Sequence, residues 1–228
     1  MRIVGRIAIA FVGLHLFWPA ATAVALQYGP EVDAAIVFLV DMSESMDEHE
    51  RRIVRESHAE AMTSETVLDA IEDGDHQRVA LAYVEFGSDT NVIVEWWIVD
   101  GRGAALTFAD AVLQAPMHDL GLTGIGNALV KARFLVNACP CQPEKVVVDI
   151  AADGKNNSPP SVYMARRSLL AMGATINGLP IDIDPDDDDI RTYFAENIIG
   201  GPAAFNLPVT GMGQLPQRVR QKIILDLY

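Results

Sequence analysis

Residues 34–40 read AAIVFLV, an apolar run without interruption, and the residue that follows is Asp41. A strand with one solvent-exposed face alternates apolar and polar residues, whereas a strand covered on both faces reads as a continuous apolar run. Such strands occur in parallel sheets that carry helices on both sides. The run therefore predicts a central strand of an α/β domain. Half of the 228 residues are hydrophobic, which is enough for one such domain with a buried core.

Strand-like apolar runs and longer amphipathic stretches alternate along most of the chain. This order predicts an α/β fold, a three-layer Rossmann-like sandwich with a mainly parallel sheet and helices on both faces. The runs at 78–87 and 91–99 are separated by a short turn, so we expect a hairpin that places one antiparallel strand at a sheet edge. The predicted strands are 34–40, 78–87, 91–99, 145–154, 174–181 and 204–209, and the predicted helices are 47–72 (with a break near Thr63 and Ser64), 104–115, 124–138, 159–173, 189–197 and 214–228.

Asp41, Ser43 and Ser45 follow the first predicted strand at every second position. Alternate side chains of an extended chain face the same way, so one carboxylate and two hydroxyls can converge above the strand end. The same residue types are also common at a helix N-terminus, where Ser43 or Ser45 would cap the helix predicted at 47–72. On these residues alone, the cap is the simpler interpretation.

Two later motifs fall at the same predicted edge of the sheet. Thr123 lies between glycines in GLTGIGNAL, just before a predicted helix, and Asp153 ends a predicted strand in AADGKNN. Each has an ordinary interpretation alone, as a helix cap and as an Asp-Gly turn. With Asp41, Ser43 and Ser45 they place two carboxylates and three hydroxyls where the carboxyl ends of parallel strands meet. An all-oxygen set with few carboxylates suits a hard cation that keeps some of its water, Mg²⁺ above all.

The combination of Asp-x-Ser-x-Ser after the first strand, a threonine before a helix and a further Asp-Gly resembles the metal-ion-dependent adhesion site of von Willebrand factor type A domains. The resemblance implies a Mg²⁺ at the top of the sheet, with Mn²⁺ or Ca²⁺ as alternatives. It implies that Ser43, Ser45 and Thr123 contact the metal. Asp41 and Asp153 would hold it directly or through water. An acidic side chain of a partner protein would fill the open coordination position.

The resemblance runs from about residue 34 to residue 228. More narrowly, INGLPI (176–181) and ENIIGGPAAF (196–205) resemble a family of exported bacterial proteins of unknown function built on this domain. Two positions depart from the pattern, because Glu44 and Leu122 stand where glycine is common. The Glu44 carboxylate either points to solvent or occupies the open coordination position and weakens partner binding.

The N-terminus differs in kind from the rest of the chain. Arg2 and Arg6 precede a stretch that has no Asp, Glu, Lys or Arg up to residue 25 and ends in small residues at A-x-A spacing. This order predicts a secretory signal peptide at residues 1–25, followed by a von Willebrand factor A-like domain at 26–228. We therefore expect a secreted or periplasmic protein. If the segment is not cleaved, it would instead serve as a membrane anchor.

The charge of the expected mature chain excludes some partners. Removing residues 1–25 removes two of the 17 basic residues and none of the 31 acidic ones, which leaves 16 net negative charges. So acidic a protein is unsuited to nucleic acid or anionic lipid, whose phosphates are negative as well. It is compatible with divalent cations or with a basic protein partner.

Three other features of the sequence are candidate sites. Cys139 and Cys141 are the two cysteines; we expect a turn in which they are bonded to each other or free, with a redox or soft-metal site as the alternative. The acidic run at 182–189 suggests calcium but lacks the glycine and closing glutamate of an EF-hand loop, which favours a solvated loop. Glu85 and Asp149 lie inside apolar runs, where a carboxylate needs a partner.

We therefore expect a binding module and not an enzyme. The alternative is a Mg²⁺-dependent hydrolase acting on phosphoryl groups, because an aspartate after the first strand of a Rossmann-like sheet can also serve phosphoryl transfer. Such an enzyme needs a second aspartate shortly after Asp41 and a cation near the phosphate, whereas the sequence offers Ser43 and Lys155. A structural domain whose site is unused is a third interpretation.

Overall fold

A computed structural model describes residues 29–182 and 189–228 of the protein. The predicted signal peptide and most of the acidic run therefore lie outside the described residues. The strands are β1 (Glu31–Asp41), β2 (Val79–Phe86), β3 (Thr90–Val99), β4 (Gln142–Ala152) and β5 (Thr175–Pro180). The helices are α1 (Glu48–Thr63), α2 (Glu65–Glu72), α3 (Arg102–Gln114), α4 (Ile125–Asn137), α5 (Val162–Ala171), α6 (Asp189–Tyr193) and α7 (Leu215–Leu227), with a π-helical turn (Phe194–Ile198) after α6 and a 3-10 turn (Met212–Gln214) before α7.

The five strands form one sheet in the order β3-β2-β1-β4-β5. β1 is central and pairs in parallel with β2 on one side and with β4 on the other, and β4 pairs in parallel with β5. β3 pairs antiparallel with β2 at the edge. The prediction of a mainly parallel sheet with one antiparallel edge strand is confirmed.

Each face of the sheet is covered by helices, as the continuous apolar run of β1 requires. Ile36, Phe38 and Val40 pack into a core formed with α1, α3 and α7. Val37 and Leu39, which point to the opposite face, pack into a second core formed with α4 and α5. Because successive side chains of β1 point to opposite faces of the sheet, this one strand contributes to both cores. The predicted three-layer sandwich is confirmed.

The boundary between α1 and α2 and the start of α5 each have a local cause in the backbone or side chain of a serine. The predicted break near Thr63 and Ser64 is present, because Ser64 adopts an extended backbone between α1 and α2. Helix α5 begins at Val162 and not at residue 159, because the Ser161 side chain caps it by accepting a hydrogen bond from the amide of Tyr163. The two prolines before Ser161 therefore lie ahead of the helix instead of in its first turn.

The prediction of a regular strand at 204–209 is wrong. The segment runs beside β5 through isolated bridges, Gly178 to Asn206 and Ile181 to Val209. The amides of Leu207 and Val209 donate to the carbonyls of Gly178 and Pro180, but Pro180 has no amide hydrogen to donate in return, so the ladder is interrupted at that residue. The segment still covers an edge of the sheet that would otherwise present unpaired backbone groups.

The buried carboxylates Glu85 and Asp149 both have cationic partners. Glu85, at the end of β2, accepts hydrogen bonds from Nε and Nη2 of Arg55 at 2.7 and 2.8 Å. Asp149, in the middle of β4, lies 2.6 Å from Nζ of Lys222, which is 1% exposed and also lies 3.4 Å from Asp226. These ion pairs fasten α1 and α7 to the sheet.

Cys139 and Cys141 are joined by a disulfide in the turn between α4 and β4. Both half-cystines are partly buried against a small apolar cluster of Val32, Ala35 and Ala80. The disulfide therefore belongs to the packing of this end of the sheet. Within residues 29–182 and 189–228, the structure contains no helix with the length and apolar character needed to cross a membrane.

Candidate metal centre

The candidate site lies between β1 and β4, where the chain connections diverge. From β1 the chain continues to β2 on one side of the sheet, and it later returns to β4 on the other side. Asp41 is the last residue of β1, and Asp153 follows the last residue of β4. A crevice forms at such a switch point, and ligands of open parallel sheets bind there. The two aspartates therefore lie at the usual ligand-binding edge of this fold.

The segment 42–47, which we name the serine loop, links β1 to α1. Its last residue, Asp47, caps α1 by accepting a hydrogen bond from the amide of Glu50, and the Glu50 side chain accepts one from the amide of Asp47. This capping box satisfies the helix terminus by itself. Ser43 and Ser45 are therefore not the caps of α1, and their hydroxyls face a different set of partners.

A chain of hydrogen bonds joins four of the five candidate residues. The Thr123 hydroxyl donates to Oγ of Ser43 at 3.3 Å, and the Ser43 and Ser45 hydroxyls are 2.9 Å apart. The Ser45 hydroxyl donates to Oδ1 of Asp153 at 2.8 Å. Residues that are 80 and 108 positions apart in the sequence are thus in direct contact.

The fifth residue, Asp41, is fully buried beside this chain. Its Oδ1 accepts a hydrogen bond from the amide of Ser43 at 2.9 Å, whereas its Oδ2 has no hydrogen-bond partner among the described residues. Burial, together with the negative charge of Asp153, raises the pKa of Asp41 to about 8. Burial also raises the pKa of Asp153. An unsatisfied buried carboxylate oxygen is costly, and a bound cation would satisfy it.

Thr123 reaches the site at the end of residues 115–124, which we name the threonine loop. The loop passes so close to the strand ends that glycine is required at Gly124, where a Cβ atom would lie 2.1 Å from the carbonyl oxygen of Gly87. Gly121 has a φ of +76°, a left-handed conformation that glycine adopts without strain. The flanking glycines therefore place the Thr123 side chain, 3% exposed, over Ser43 and not in a capping position.

The two residues that depart from the adhesion-site pattern both face outward. Glu44 is exposed, and its amide donates a hydrogen bond to the carbonyl of Gly121 at 2.7 Å. Within the described residues, its carboxylate has no hydrogen-bond or ion-pair partner. Leu122 is 43% exposed, so its bulk does not fill the space between Thr123 and Ser43.

Sequence reasoning missed two arginines that support the site. Arg51 and Arg55 lie one turn apart on α1 and contact the serine and threonine loops. In the sequence they stand among charged residues of an amphipathic helix, where arginine is ordinarily a surface residue. The one available signal was Glu85, a carboxylate in an apolar run that required a buried cationic partner.

The phosphoryl-hydrolase interpretation gains no support from the geometry. Ser43, at the position where a second aspartate is needed, is buried and bonded to Ser45 and Thr123. Lys155, the cation that the sequence offers, forms an ion pair with Asp189. Of the acidic run at 182–189, residues 183–188 lie outside the described residues; Asp182 accepts a hydrogen bond from Arg191.

The oxygen set fits a hard divalent cation that keeps some of its water. The side chains of Thr123, Ser43, Ser45 and Asp153 are hydrogen-bonded in sequence, Asp41 contacts the amide of Ser43, and Oδ2 of Asp41 has no hydrogen-bond partner among the described residues. In the described part of the chain, no group of three or more His, Cys, Asp or Glu side chains comes together as a metal cluster. The set therefore differs from a carboxylate-rich calcium cage or a zinc site with His and Cys ligands.

A family model described as "Protein of unknown function (DUF1194)" matches residues 31–228. A search among curated proteins gave no match. Three solved structures with similar folds are a von Willebrand factor type A protein from Catenulispora acidiphila, the pilus adhesin SpaC from Lactobacillus rhamnosus GG, and proximal thread matrix protein 1 from the mussel byssus with a zinc-occupied MIDAS motif.

The similarity to these structures lies in the fold. Their TM-scores are 0.62, 0.63 and 0.62, with sequence identities of 17%, 14% and 18%. The alignments cover 86%, 88% and 88% of this chain but 43%, 31% and 47% of the other chains, so the chain spans less than half of each. The resemblance to von Willebrand factor A domains and to a family of unknown function is thus confirmed.

Proposed function

The chain belongs to the DUF1194 family of proteins of unknown function, and we propose that it is an exported protein-interaction module that works through a divalent cation. The cation would bind at Asp41, Ser43, Ser45, Thr123 and Asp153. Mg²⁺ is the expected ion, with Mn²⁺ or Ca²⁺ as alternatives. A carboxylate-poor site leaves much of the ion's charge uncompensated, so the ion would attract an acidic side chain of a partner protein.

The observation that carries this proposal is the state of Asp41. Among the described residues, Oδ2 of the fully buried Asp41 has no hydrogen-bond partner, which is destabilising, and the pKa values of Asp41 and of the interacting Asp153 are both raised. A structural role would be served better by serine, asparagine or an apolar residue at position 41. The arrangement makes sense if a cation stabilises both carboxylates when it binds.

The remaining residues have complementary tasks. The hydroxyls of Ser43, Ser45 and Thr123 are linked by hydrogen bonds into a row of oxygen atoms. The Ser45 hydroxyl holds Oδ1 of Asp153 in place. Preorganised oxygens reduce the entropy that cation binding must overcome. If all five side chains contacted an octahedral Mg²⁺, one of its six coordination positions would remain for the partner's acidic group.

Structural relatives support a binding role. SpaC is a pilus adhesin, and the mussel thread matrix protein holds zinc in its MIDAS motif. This chain covers less than half of either protein, and its partner, its cation and its place of action are therefore proposals of their own. Export rests on the predicted signal peptide at 1–25, which leaves 26–228 as the exported domain.

Calorimetric titration of the purified protein with Mg²⁺ tests the cation site. We expect one ion per chain in the wild type and no binding in Asp41→Asn. The partner is tested by capture from exported proteins with and without a chelator, with Asp41→Asn as the matched control. A protein that is captured only with Mg²⁺ and only by the wild type supports the proposal, whereas equal capture in all arms contradicts it.

The two alternatives predict different results in the same experiments. A phosphoryl hydrolase would turn over generic phosphate esters with Mg²⁺ and lose that activity in Asp41→Asn. A structural domain with an unused site would show no heat of Mg²⁺ binding and no thermal stabilisation by Mg²⁺. Either result would replace the binding module as the function of this chain.

A further inference from the structure

Arg51 of α1 contacts both loops that carry the hydroxyls of the candidate site. Its Nη1 donates to the carbonyl oxygens of Ser43 at 3.2 Å and Met46 at 2.6 Å, in the serine loop. The same nitrogen lies 3.7 Å from Oδ2 of Asp119, in the threonine loop. The Arg51 side chain is 11% exposed, so its contacts with the two carbonyls are largely shielded from solvent, whereas Asp119 is 53% exposed and its contact with Arg51 is open to water.

Asp119 links Arg51 to the turn that precedes Thr123. Its Oδ1 accepts a hydrogen bond from the amide of Gly121 at 2.9 Å, which holds the left-handed turn two residues before Thr123. The two loops are also joined directly, because the amide of Leu120 donates to the carbonyl of Met42 at 3.0 Å and the amide of Glu44 donates to Gly121 at 2.7 Å. We name these two backbone hydrogen bonds between the loops the seam. Arg51 contacts the loops on both sides of it.

Arg55, one helical turn further along, anchors the other end of the threonine loop. Its Nη1 donates to the carbonyl of Ala115 at 2.6 Å and its Nη2 to that of Pro116 at 3.2 Å. Both Nε and Nη2 bind the Glu85 carboxylate. Arg55 therefore forms a buried ion pair with the sheet in addition to its contacts with the threonine loop. Arg51 instead contacts polar groups of the serine and threonine loops.

We propose that Arg51 is a positioning residue of the cation site, which sets the distance between the Ser43 and Thr123 hydroxyls by holding the two loops on α1. The inference rests on the proposed function and extends it to a residue that does not contact the ion. The physical reason is geometric: Ser43 and Thr123 reach the site from loops 80 residues apart, and their hydroxyls are 3.3 Å from each other. Loss of the Arg51 contacts would let the hydroxyl oxygens of Ser43 and Thr123 separate and would increase the entropy cost of cation binding.

The test compares Mg²⁺ affinity in Arg51→Met and in the matched control Arg52→Met. Arg52 is the next residue on the helix, is 54% exposed and pairs with Glu48. We expect Arg51→Met to raise the Mg²⁺ dissociation constant by about 10- to 100-fold, as removal of outer-shell support does in other metal sites. Arg52→Met is expected to stay within about twofold of the wild type, because an exposed ion pair contributes little.

Arg51→Lys distinguishes positioning from general stability. Lysine keeps the positive charge and hydrogen-bonding capacity, so we expect it to recover a substantial part of the affinity that methionine loses. Thermal unfolding without metal gives the stability of each variant. If Arg51→Met binds Mg²⁺ as tightly as the wild type, or if Arg52→Met loses as much affinity, the inference is wrong.

Hydrogen exchange of the metal-free protein tests the link without any cation. The amides of Glu44 and Leu120 report on the seam, and we expect both to exchange faster in Arg51→Met than in Arg52→Met. Unchanged exchange would contradict the inference. If the wild type binds no Mg²⁺ but the seam loosens in Arg51→Met, the proposed function fails while the loop-positioning role of Arg51 stands.

Discussion

Asp41 and Asp153 end neighbouring parallel strands, and the negative charge of Asp153 is one reason why the pKa of Asp41 lies near 8. The sheet thus brings together two carboxyl groups that repel each other when both are ionised. Ser45 relieves part of this repulsion by donating a hydrogen bond to Asp153, while Oδ2 of Asp41 has no partner among the described residues. The proposed cation would offset the repulsion between the two carboxylates and give Oδ2 of Asp41 a partner.

Asp41→Asn should make the metal-free protein more stable at alkaline pH. The folded protein holds the Asp41 proton up to about pH 8, whereas an unfolded aspartate releases it near pH 4, so this group's contribution to stability falls as pH rises between these values. Asparagine never ionises and escapes this loss. At pH 9 we expect at least about 2 kcal/mol of stabilisation, or roughly 4–8 °C in Tm.

The same variant should lose its response to Mg²⁺. The wild type is expected to gain about 2.7 kcal/mol at a Mg²⁺ concentration 100-fold above the dissociation constant. Asp47→Asn is the control, because Asp47 is an exposed cap and asparagine caps helices equally well. Stabilisation by Mg²⁺ that persists in Asp41→Asn would contradict the assigned ligand set.

Mg²⁺ affinity should increase with pH and level off above about pH 8. A carboxyl must lose its proton before it binds a cation, so release of one proton gives about a tenfold gain in affinity per pH unit below the pKa. Calorimetry in buffers of different ionisation enthalpy measures the proton release directly. Equal dissociation constants at pH 6.5 and 8.5 would show that the Asp41 proton is not displaced.

Thr123→Val and Thr123→Ser form a matched pair for the hydroxyl of the threonine loop. Valine keeps the shape of the side chain but removes the donor to Ser43, whereas serine keeps the hydroxyl. We expect at least about tenfold weaker Mg²⁺ binding for valine and a smaller effect for serine. If the two variants bind Mg²⁺ equally well, the Thr123 hydroxyl is not part of the site.

Glu44→Gln tests whether the residue between the two serines closes the open coordination position. Its carboxylate is exposed and has no hydrogen-bond or ion-pair partner among the described residues. Screening by water makes its charge a weak influence on the ion, so we expect Mg²⁺ affinity within about threefold of the wild type. A loss of tenfold or more would identify Glu44 as a ligand that competes with the partner.

Lys222→Met should destabilise the fold strongly without a direct effect on the cation site. Lys222 is the buried cation between Asp149 and Asp226, and its removal leaves both carboxyl groups uncompensated, at a cost of about 3–5 kcal/mol near neutral pH. Burial raises the pKa of Asp226, so the loss should shrink in acid as the Asp226 carboxyl becomes protonated. Urea unfolding measures it, and Arg218→Met on the same helix is the control; equal losses in both variants would contradict the prediction.

Much of the fold was predictable because its signals are local. The short length of the apolar run at 34–40 favours a buried strand over a helix, and the alternation of strands and helices restricts the sheet to a few topologies. The hairpin before β3 and the break at Ser64 also follow from nearby residues. The irregular segment at 204–209 was missed, because its composition is that of a strand while Pro180 of the neighbouring β5 lacks one donor for the ladder.

By itself, the sequence determined that Asp41 and Asp153 stand at the carboxyl ends of strands, and hence on one edge of the sheet. Only the tertiary structure decided that β1 and β4 are neighbours. It also decided that Asp47 caps α1, so that Ser43 and Ser45 do not, and that Arg51 contacts two loops. The physical reason is that strand ends are set by local burial and hydrogen bonding. Contacts between loops 80 residues apart depend instead on how the whole sheet is ordered and how its helices pack.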